Sequence, residues 1–400
     1  MNRGVAITGM GIISSIGDSV ADNYQSLICS RHGISIITNL DTVHKESVKA
    51  GEIKASNDEL ATRLSLSLDN LFSRSGILGL YAVRQALTSA NISDVNEFRT
   101  GLISATSVGS MDKTERYYRE YLNNLSIVKY ITSDAGGEVS NMIASQIGLR
   151  GMVSTVSTAC SSSASAIMLG ARLIKSGRLD RVIVGGVDAL TKFTINGFKS
   201  LLILSDGFCK PFDQHRNGLN LGEAAAYLIL ESDKVVAECK KPILARVTGY
   251  GNCNDAFHQT GSSEFGDGAF LAMEKAFQIA NLSPSDIDYI NVHGTATPNN
   301  DLSEGRALVR IYEDQKVPDF SSTKAFTGHT LAAAGAVEAV FSVLSINNGV
   351  VYPNLNFETP MEEFNLLPQT VLKNKTIDHV LSNSFGFGGN CSTLIFSKSI

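Results

Sequence analysis

Apolar residues recur along this chain at two spacings. Short unbroken runs end in glycine, and longer stretches repeat every three to four residues. Residues 4–9 form the first run and lead into Gly9-Met-Gly11, the pattern of a buried strand. Residues 101–106 and Arg181-Val-Ile-Val-Gly-Gly186 read the same way. Residues 19–29 and 77–90 carry the spacing of amphipathic helices. A β-prone run at Met152-Val153 and Val156 passes through a polar turn into a helix with apolar Ala164, Ile167, Met168, Ala171 and Ile174. Lys175-Ser-Gly177 ends that helix: a cation faces its negative end, and glycine accepts a left-handed cap. Strands alternating with helices predict mainly parallel sheets covered by helices.

The second part of the chain echoes the first. Val5-Ala-Ile-Thr-Gly-Met-Gly11 matches Ala245-Arg-Val-Thr-Gly-Tyr-Gly251, and Ala82–Ser93 matches Ala272–Ser283. Ser163–Gly177 matches Gly335–Gly349, and Arg181-Val-Ile183 matches His379-Val-Leu381. The pairs keep one order, which predicts two similar α/β halves. Lys240-Lys-Pro242 is the natural seam, giving halves 1–240 and 241–400. Strand ends of both halves would then converge on the functional loops. Residues 112–130 are polar and aromatic, a helix and loop in which Tyr117, Tyr118 and Tyr121 suit packing better than ligand binding.

Composition narrows the function. With 400 residues, 43% hydrophobic and 18% charged, the chain can bury a large core. A net charge of −5 argues against a nucleic-acid partner. The six cysteines show neither CxxC nor zinc-ligand spacing, which fits a reducing compartment and a cytoplasmic protein. The N-terminus reads as a strand rather than a signal peptide, and no membrane span is expected. Ser14 stands where a dinucleotide-binding turn needs its third glycine.

Chemistry concentrates at a few points. Cys160 lies at a helix start, where open N–H groups and the dipole favour thiolate, a nucleophile; the alternative is a small core cysteine. His293 ends the apolar run Tyr289-Ile-Asn-Val, either lining a cleft or bonded within the fold. His329 follows Gly328 before a small-residue helix, with Lys324 five residues earlier and Glu338 nine later. A buried Lys324 would need a carboxylate partner, and Lys324 alone reads as a surface residue. Phe385-Gly-Phe-Gly-Gly389 alternates rings with glycines, either walls of an apolar tunnel or a tight turn with two core rings. Asp301 and Glu304 read as structural acids near a helix start.

Taken together, Thr158-Ala-Cys160, Pro211-Phe-Asp213, His293-Gly-Thr-Ala-Thr-Pro298, Lys324 with Gly328-His329, and Asn383-Ser-Phe-Gly-Phe-Gly-Gly389 resemble the β-ketoacyl-acyl-carrier-protein synthases of the thiolase-like superfamily, in order and spacing, over nearly the whole length. The resemblance implies an α/β thiolase-like fold, two related halves stacked as a five-layered αβαβα sandwich. It implies a decarboxylative condensation in which Cys160 takes an acyl group and a malonyl-carrier thioester extends it. Two histidines, rather than a His-plus-Asn set, point to the elongating branch. By the same resemblance His293 and His329 stabilise the enolate, and Lys324 paired with Glu338 orders the site. The Cys160 and Phe387 N–H groups form the oxyanion hole beside Gly386, and Phe387 is the gate. Thr295 and Thr297 hold the phosphopantetheine arm, while Phe385 and Phe198 wall the acyl pocket; for Phe198 a core ring is an equal reading. CO2 loss drives the reaction, so no metal or freestanding cofactor is implied, only phosphopantetheine on an acyl carrier protein. Lys192, Lys199, Lys210 and Arg216 are candidates for the patch that would dock the acidic carrier. A homodimer is expected, a heterodimer with a related subunit being the alternative.

The chain departs from the family pattern at Ser161-Ser-Ser163 (usually Ala-Thr-Gly), Arg216-Asn-Gly-Leu219, Ala224, and Gly389-Asn-Cys391 (usually Gly-Thr-Asn). These departures suggest a secondary-metabolite relative, such as an aryl-polyene synthase, rather than housekeeping fatty-acid elongation. Competing readings are a non-catalytic chain-length factor, a thiolase or CoA-dependent acyltransferase using Cys391 as second cysteine, and a cysteine hydrolase. The first is opposed by the presence of Cys160, His293 and His329, and the last by the lack of a Gly-x-Ser-x-Gly elbow.

Overall fold

The computed structural model describes residues 4–67, 72–131, 135–313 and 315–399; Met1–Arg3, at the segment read as a first strand, lie outside them. Ten strands form one ladder. They are β1 (Val5–Ser14), β2 (Thr100–Ala105), β3 (Met152–Val156), β4 (Arg181–Asp188) and β5 (Ala224–Glu231), then β6 (Ala245–Asn254), β7 (Tyr289–Asn291), β8 (Asp319–Ser321), β9 (His379–Gly386) and β10 (Asn390–Ser397). Their spatial order is β8-β7-β9-β10-β6-β1-β5-β4-β2-β3. One five-strand arrangement is therefore used twice, β1 to β5 corresponding to β6 to β10. The halves join where Val5, Ala6 and Ile7 pair antiparallel with Val247, Arg246 and Ala245.

Eight helices matter here: α1 (Val20–Ile28), α2 (Arg74–Ser89), α3 (Gly137–Gln146), α4 (Ser162–Lys175), α5 (Lys192–Ser200), α6 (Asp267–Ala280), α7 (Pro298–Tyr312) and α8 (Ala334–Asn348). α2 and α3 cover one face of the first half-sheet, and α6 and α7 cover the matching face of the second. α4 and α8 pack together between the two. This is the expected five-layered sandwich. All four repeated segments fall on equivalent elements: β1 with β6, α2 with α6, α4 with α8, β4 with β9.

Two details explain why the repeats are visible in the sequence. α2 lies so close to β1 that a Cβ on Gly11 would sit 2.1 Å from the Ala82 carbonyl oxygen; on Gly251 it would sit 2.0 Å from that of Ala272. The helices also end alike, with Asn91 (φ 52°) and Asn281 (φ 55°) in the left-handed conformation that asparagine tolerates.

Two expectations are corrected. The sheets are not mainly parallel: β3-β2-β4 and β8-β7-β9 are parallel, but β5 and β10 run antiparallel to both neighbours. β10 follows β9 after three residues, too short a link for the crossover a parallel pair needs. Helices cover both faces, so every residue of β5 is buried and reads like a parallel strand. Second, one apolar run is long enough to cross a bilayer, contrary to the expectation that none is: Leu331–Asn348 reaches the length and mean hydropathy (1.3) of such a helix, but as part of the core. It is 89% buried, because α8 fills the middle layer. Tyr117 stacks on Tyr130 with ring centroids 4.4 Å apart, the packing role expected.

Candidate active site

The nucleophile candidate sits on an elbow. β3 ends at Val156, and the chain reverses through Ala159, whose φ of 51° puts a side chain in the left-handed region. Cys160 follows, one residue before Ser161 at the start of α4, and is 6% exposed. The hairpin between β9 and β10 closes over it. Gly386 must be glycine here, since a Cβ would lie 2.8 Å from the Thr158 oxygen and 3.0 Å from the Cys160 nitrogen. The Phe387 and Cys160 backbone N–H groups lie near the sulfur and pull its thiol down.

The expectation of a resting thiolate is corrected. Burial pushes the Cys160 thiol up to about 12, against the pull of the Lys324 charge and the two N–H groups. A helix start contributes only about 0.3–1 kcal/mol at exposed sites, too little to offset complete enclosure.

His293 lies just past β7 and is 2% exposed. Its turn is anchored by α7: Glu304 accepts from the N–H groups of His293 (2.9 Å) and Gly294 (2.8 Å) and from the Asn383 amide (3.0 Å). Asp301 accepts from Ala296 N–H at 3.1 Å and Phe212 N–H at 2.7 Å. Both acids are structural, as expected: Asp301, in the first turn of α7, and Glu304 are buried anchors of the histidine turn. Burial lifts Glu304 to about 7.

His329 is fixed through its backbone, donating to the Asn220 carbonyl (2.7 Å) and accepting from Gly222 N–H (2.9 Å). The two imidazoles meet edge to face, centroids 5.4 Å apart. Burial holds both well below the usual histidine range, and the nearby Lys324 charge adds to this. Both rings are therefore neutral near pH 7, each with a buried Nδ1 that has no partner among the described residues. Lys324 and Glu338 form a buried ion pair, 3% and 2% exposed. Burial pushes the Glu338 carboxyl up to about 7 despite its cation.

A cavity of about 440 Å³ joins these groups. Cys160, His293 and His329 face it with Gly386; Thr295 and Thr297 lie toward Pro298 and Asn299. Phe385, Phe387 and Phe198 also line it, and Phe198 stacks on Phe387 at 5.7 Å, so it is a wall residue rather than a core ring. Lys324 and Glu338 are not among the residues lining the cavity; the Lys324 charge reaches both histidines and Cys160.

Sequence reasoning missed Asp188, at the end of β4. It is fully buried and accepts from Thr106 Oγ1 (2.6 Å), Ser107 N–H (3.0 Å) and Ala332 N–H (2.8 Å), tying a first-half loop to the segment after His329. A lone acid closing an apolar glycine run was the available signal. The loop with His258, Thr260 and Ser262 was also missed; it lines the same cavity. Cys391 does not join the site. It lies in β10, packed into the second half's core, and burial raises its thiol.

A thiol, two neutral imidazoles and a largely apolar cavity without a carboxylate on its described wall suit carbon–carbon bond formation on a thioester. The twice-used strand arrangement is that of the thiolase-like condensing enzymes. Within that class the chain belongs to the beta-ketoacyl synthase family: residues 2–235 match its N-terminal domain and residues 244–358 its C-terminal domain. It is 33% identical to the 3-oxoacyl-[acyl-carrier-protein] synthase 2 of Staphylococcus aureus, over 99% of both chains. Among solved structures it is similar to the ishigamide ketosynthase/chain length factor (TM-score 0.90, 28% identity, all of both chains). It is also similar to the ketosynthase ApeO in complex with its chain length factor ApeC from Xenorhabdus doucetiae (TM-score 0.85, 31% identity, 99% and 98% of the chains).

Proposed function

We propose that this enzyme extends an acyl chain held on Cys160 by decarboxylative condensation with a malonyl-carrier thioester, giving a 3-oxoacyl-carrier thioester. The observation carrying the residue assignment is that Cys160, His293 and His329 share one cavity, with the imidazoles 5.4 Å apart. In the first step the Cys160 sulfur attacks the acyl thioester and the Cys160 and Phe387 N–H groups stabilise the oxyanion. Because Cys160 rests as a thiol, its proton must leave; it passes by a neutral imidazole to the departing phosphopantetheine thiolate. In the second step the malonyl carboxylate leaves as CO2. Both neutral rings donate N–H to the thioester oxygen as the enolate forms. The enolate carbon attacks the acyl-Cys160 carbonyl, and the released thiolate regains a proton from the medium.

Burial keeps the rings unprotonated, and the Lys324 charge, balanced by Glu338, adds to it. Thr295 and Thr297 line the approach of the phosphopantetheine arm, and the Phe198–Phe387 stack closes the acyl end of the cavity. The proposal keeps the halves at 1–240 and 241–400. It also places an acyl carrier protein at the mouth, where Arg216 donates to the Pro298 carbonyl at 2.9 Å. It sets the enzyme in the cytoplasm, where its free cysteines stay reduced. β3 offers the open edge for a second, identical chain: four of its five residues are half-buried and Met152 is exposed. The aryl-polyene or other secondary-metabolite role rests on the departures at Ser161–Ser163, Arg216–Leu219, Ala224 and Gly389–Cys391.

Mass spectrometry of the protein with a panel of acyl-carrier thioesters tests the reading. Acylation on Cys160, lost in Cys160→Ala, is expected. His293→Ala and His329→Ala should slow loading less than malonyl decarboxylation, which should fall by roughly 10²-fold or more. Equal loss of loading in all three would remove this division of labour.

A further inference from the structure

Two departures from the family pattern, far apart in sequence, touch beside the nucleophile. Ser161-Ser-Ser163 follows Cys160, and Asn390 opens β10. The three serine hydroxyls have separate tasks. Ser162 closes the elbow, accepting from Thr158 N–H at 2.8 Å and donating to the Ala159 carbonyl. Ser163 accepts from Ala336 N–H at 2.9 Å, in the first turn of α8, where a helix leaves its N–H groups without internal partners.

Ser161 does neither. It caps α4, yet its side chain makes no bond into the first turn. It is wholly buried, and its one hydrogen is shared between the Thr158 carbonyl (2.8 Å) and Asn390 Oδ1 (2.9 Å). Asn390 Oδ1 also accepts from Asn252 Nδ2 at 2.7 Å, and that amide reaches Ser392 Oγ at 2.9 Å. Asn390 is thus held from both sides.

Its place in the fold gives this bond meaning. Asn390 stands opposite Gly386 at the base of the β9–β10 hairpin, whose three-residue tip carries Phe387. The tip is also held by its own half of the chain: Gly388 N–H donates to the Gln259 carbonyl (2.7 Å), the Gly388 carbonyl accepts from Asn254 Nδ2 (2.9 Å), and the Gly389 carbonyl accepts from Asp255 N–H (2.7 Å), whereas the Ser161–Asn390 bond crosses to the first half. An oxyanion site needs its two donors at a set separation before charge develops. The Phe387 donor belongs to the second half of the chain and the Cys160 donor to the first.

We propose that Ser161 and Asn390 are a positioning pair whose hydrogen bond fixes the hairpin carrying the Phe387 N–H against the elbow carrying the Cys160 N–H, so that both N–H groups meet one oxyanion during acyl transfer. This rests on the acyl transfer proposed above. A hydroxyl at 161 and an amide at 390 form one device, which accounts for both departures together.

The test measures single-turnover acylation of Cys160 by intact-protein mass spectrometry. The probe is the straight-chain acyl-pantetheine thioester, acetyl to dodecanoyl, that acylates the unmodified enzyme fastest. Ser161→Ala and Asn390→Ala should each lower the maximal rate constant roughly 5- to 20-fold, below the loss from deleting a donor outright. The half-saturating concentration should not change. The double variant should be no slower than the slower single, because either single already breaks the bond that joins the two residues. Asn390→Asp keeps the acceptor and should recover to within about threefold. Iodoacetamide alkylation of Cys160 forms no oxyanion and should stay within about twofold in all variants. Asn390 is half-buried, so its variants carry the test even if Ser161→Ala fails to fold. Multiplying losses in the double variant, equal losses in alkylation, or unchanged acylation would overturn the pair alone. No acylation of the unmodified enzyme by any probe would overturn the proposed function, and the pair with it.

Discussion

Cys160, His293 and His329 are each enclosed by protein, and enclosure favours the neutral form of each. For Cys160 this sets the course of alkylation with pH. A thiol pushed up to about 12 has a thiolate fraction that grows roughly tenfold per pH unit from pH 7 to 10. Iodoacetamide labelling of Cys160 should rise at that rate; a plateau by pH 8 would mean a resting thiolate. For the histidines the sign is opposite. Their working form is neutral, and burial together with the Lys324 charge lowers their protonation below the usual range. Malonyl decarboxylation should therefore be flat from pH 6 to 8 and fall only in more acidic solution, whereas an unperturbed histidine would lose half its neutral form near pH 6.5. Initial-rate assays of CO2 release decide between the two. The identities of these residues were legible in sequence, because turn glycines and strand ends mark them. Their charge states were not, because burial is a property of the whole assembly.

Helix-to-strand spacing left the clearest trace at the level of elements. Gly9-Met-Gly11 and Gly249-Tyr-Gly251 recur because α2 and α6 press their backbones onto β1 and β6, and only glycine leaves room. Gly11→Ala and Gly251→Ala should each cost about 1–3 kcal/mol in denaturant unfolding, with similar values because the contacts are equivalent. A cost below about 0.5 kcal/mol would show that the helices can draw back. Strand direction left no such trace. β5 and β10 are buried on both faces by the same helices that bury the parallel strands, so their apolar runs do not distinguish the two pairings. Asp188 escaped notice for a related reason: its partners come from residues 106–108 and 332, and nothing local to β4 announces them.

Across the whole molecule, the chemistry sits where neither half is sufficient. The first half supplies the sulfur and the second both imidazoles, while α4 and α8 interlock between the sheets. The first half-sheet ends at β3, which presents exposed Met152 and a row of unpaired backbone groups, as the rim of a ladder does. Cys160 lies four residues after that strand, so whatever pairs with β3 also steadies the nucleophile. A second copy paired antiparallel about a two-fold axis would continue the ladder and bury both rims. Light scattering on the purified chain should give twice its mass. Ser154→Lys would set like charges near each other across that axis, and should shift the mass to that of one chain while slowing Cys160 acylation. A chain that is already monomeric, or a monomeric variant with undiminished acylation, would instead mean that β3 is covered by something else or needs no cover for the chemistry.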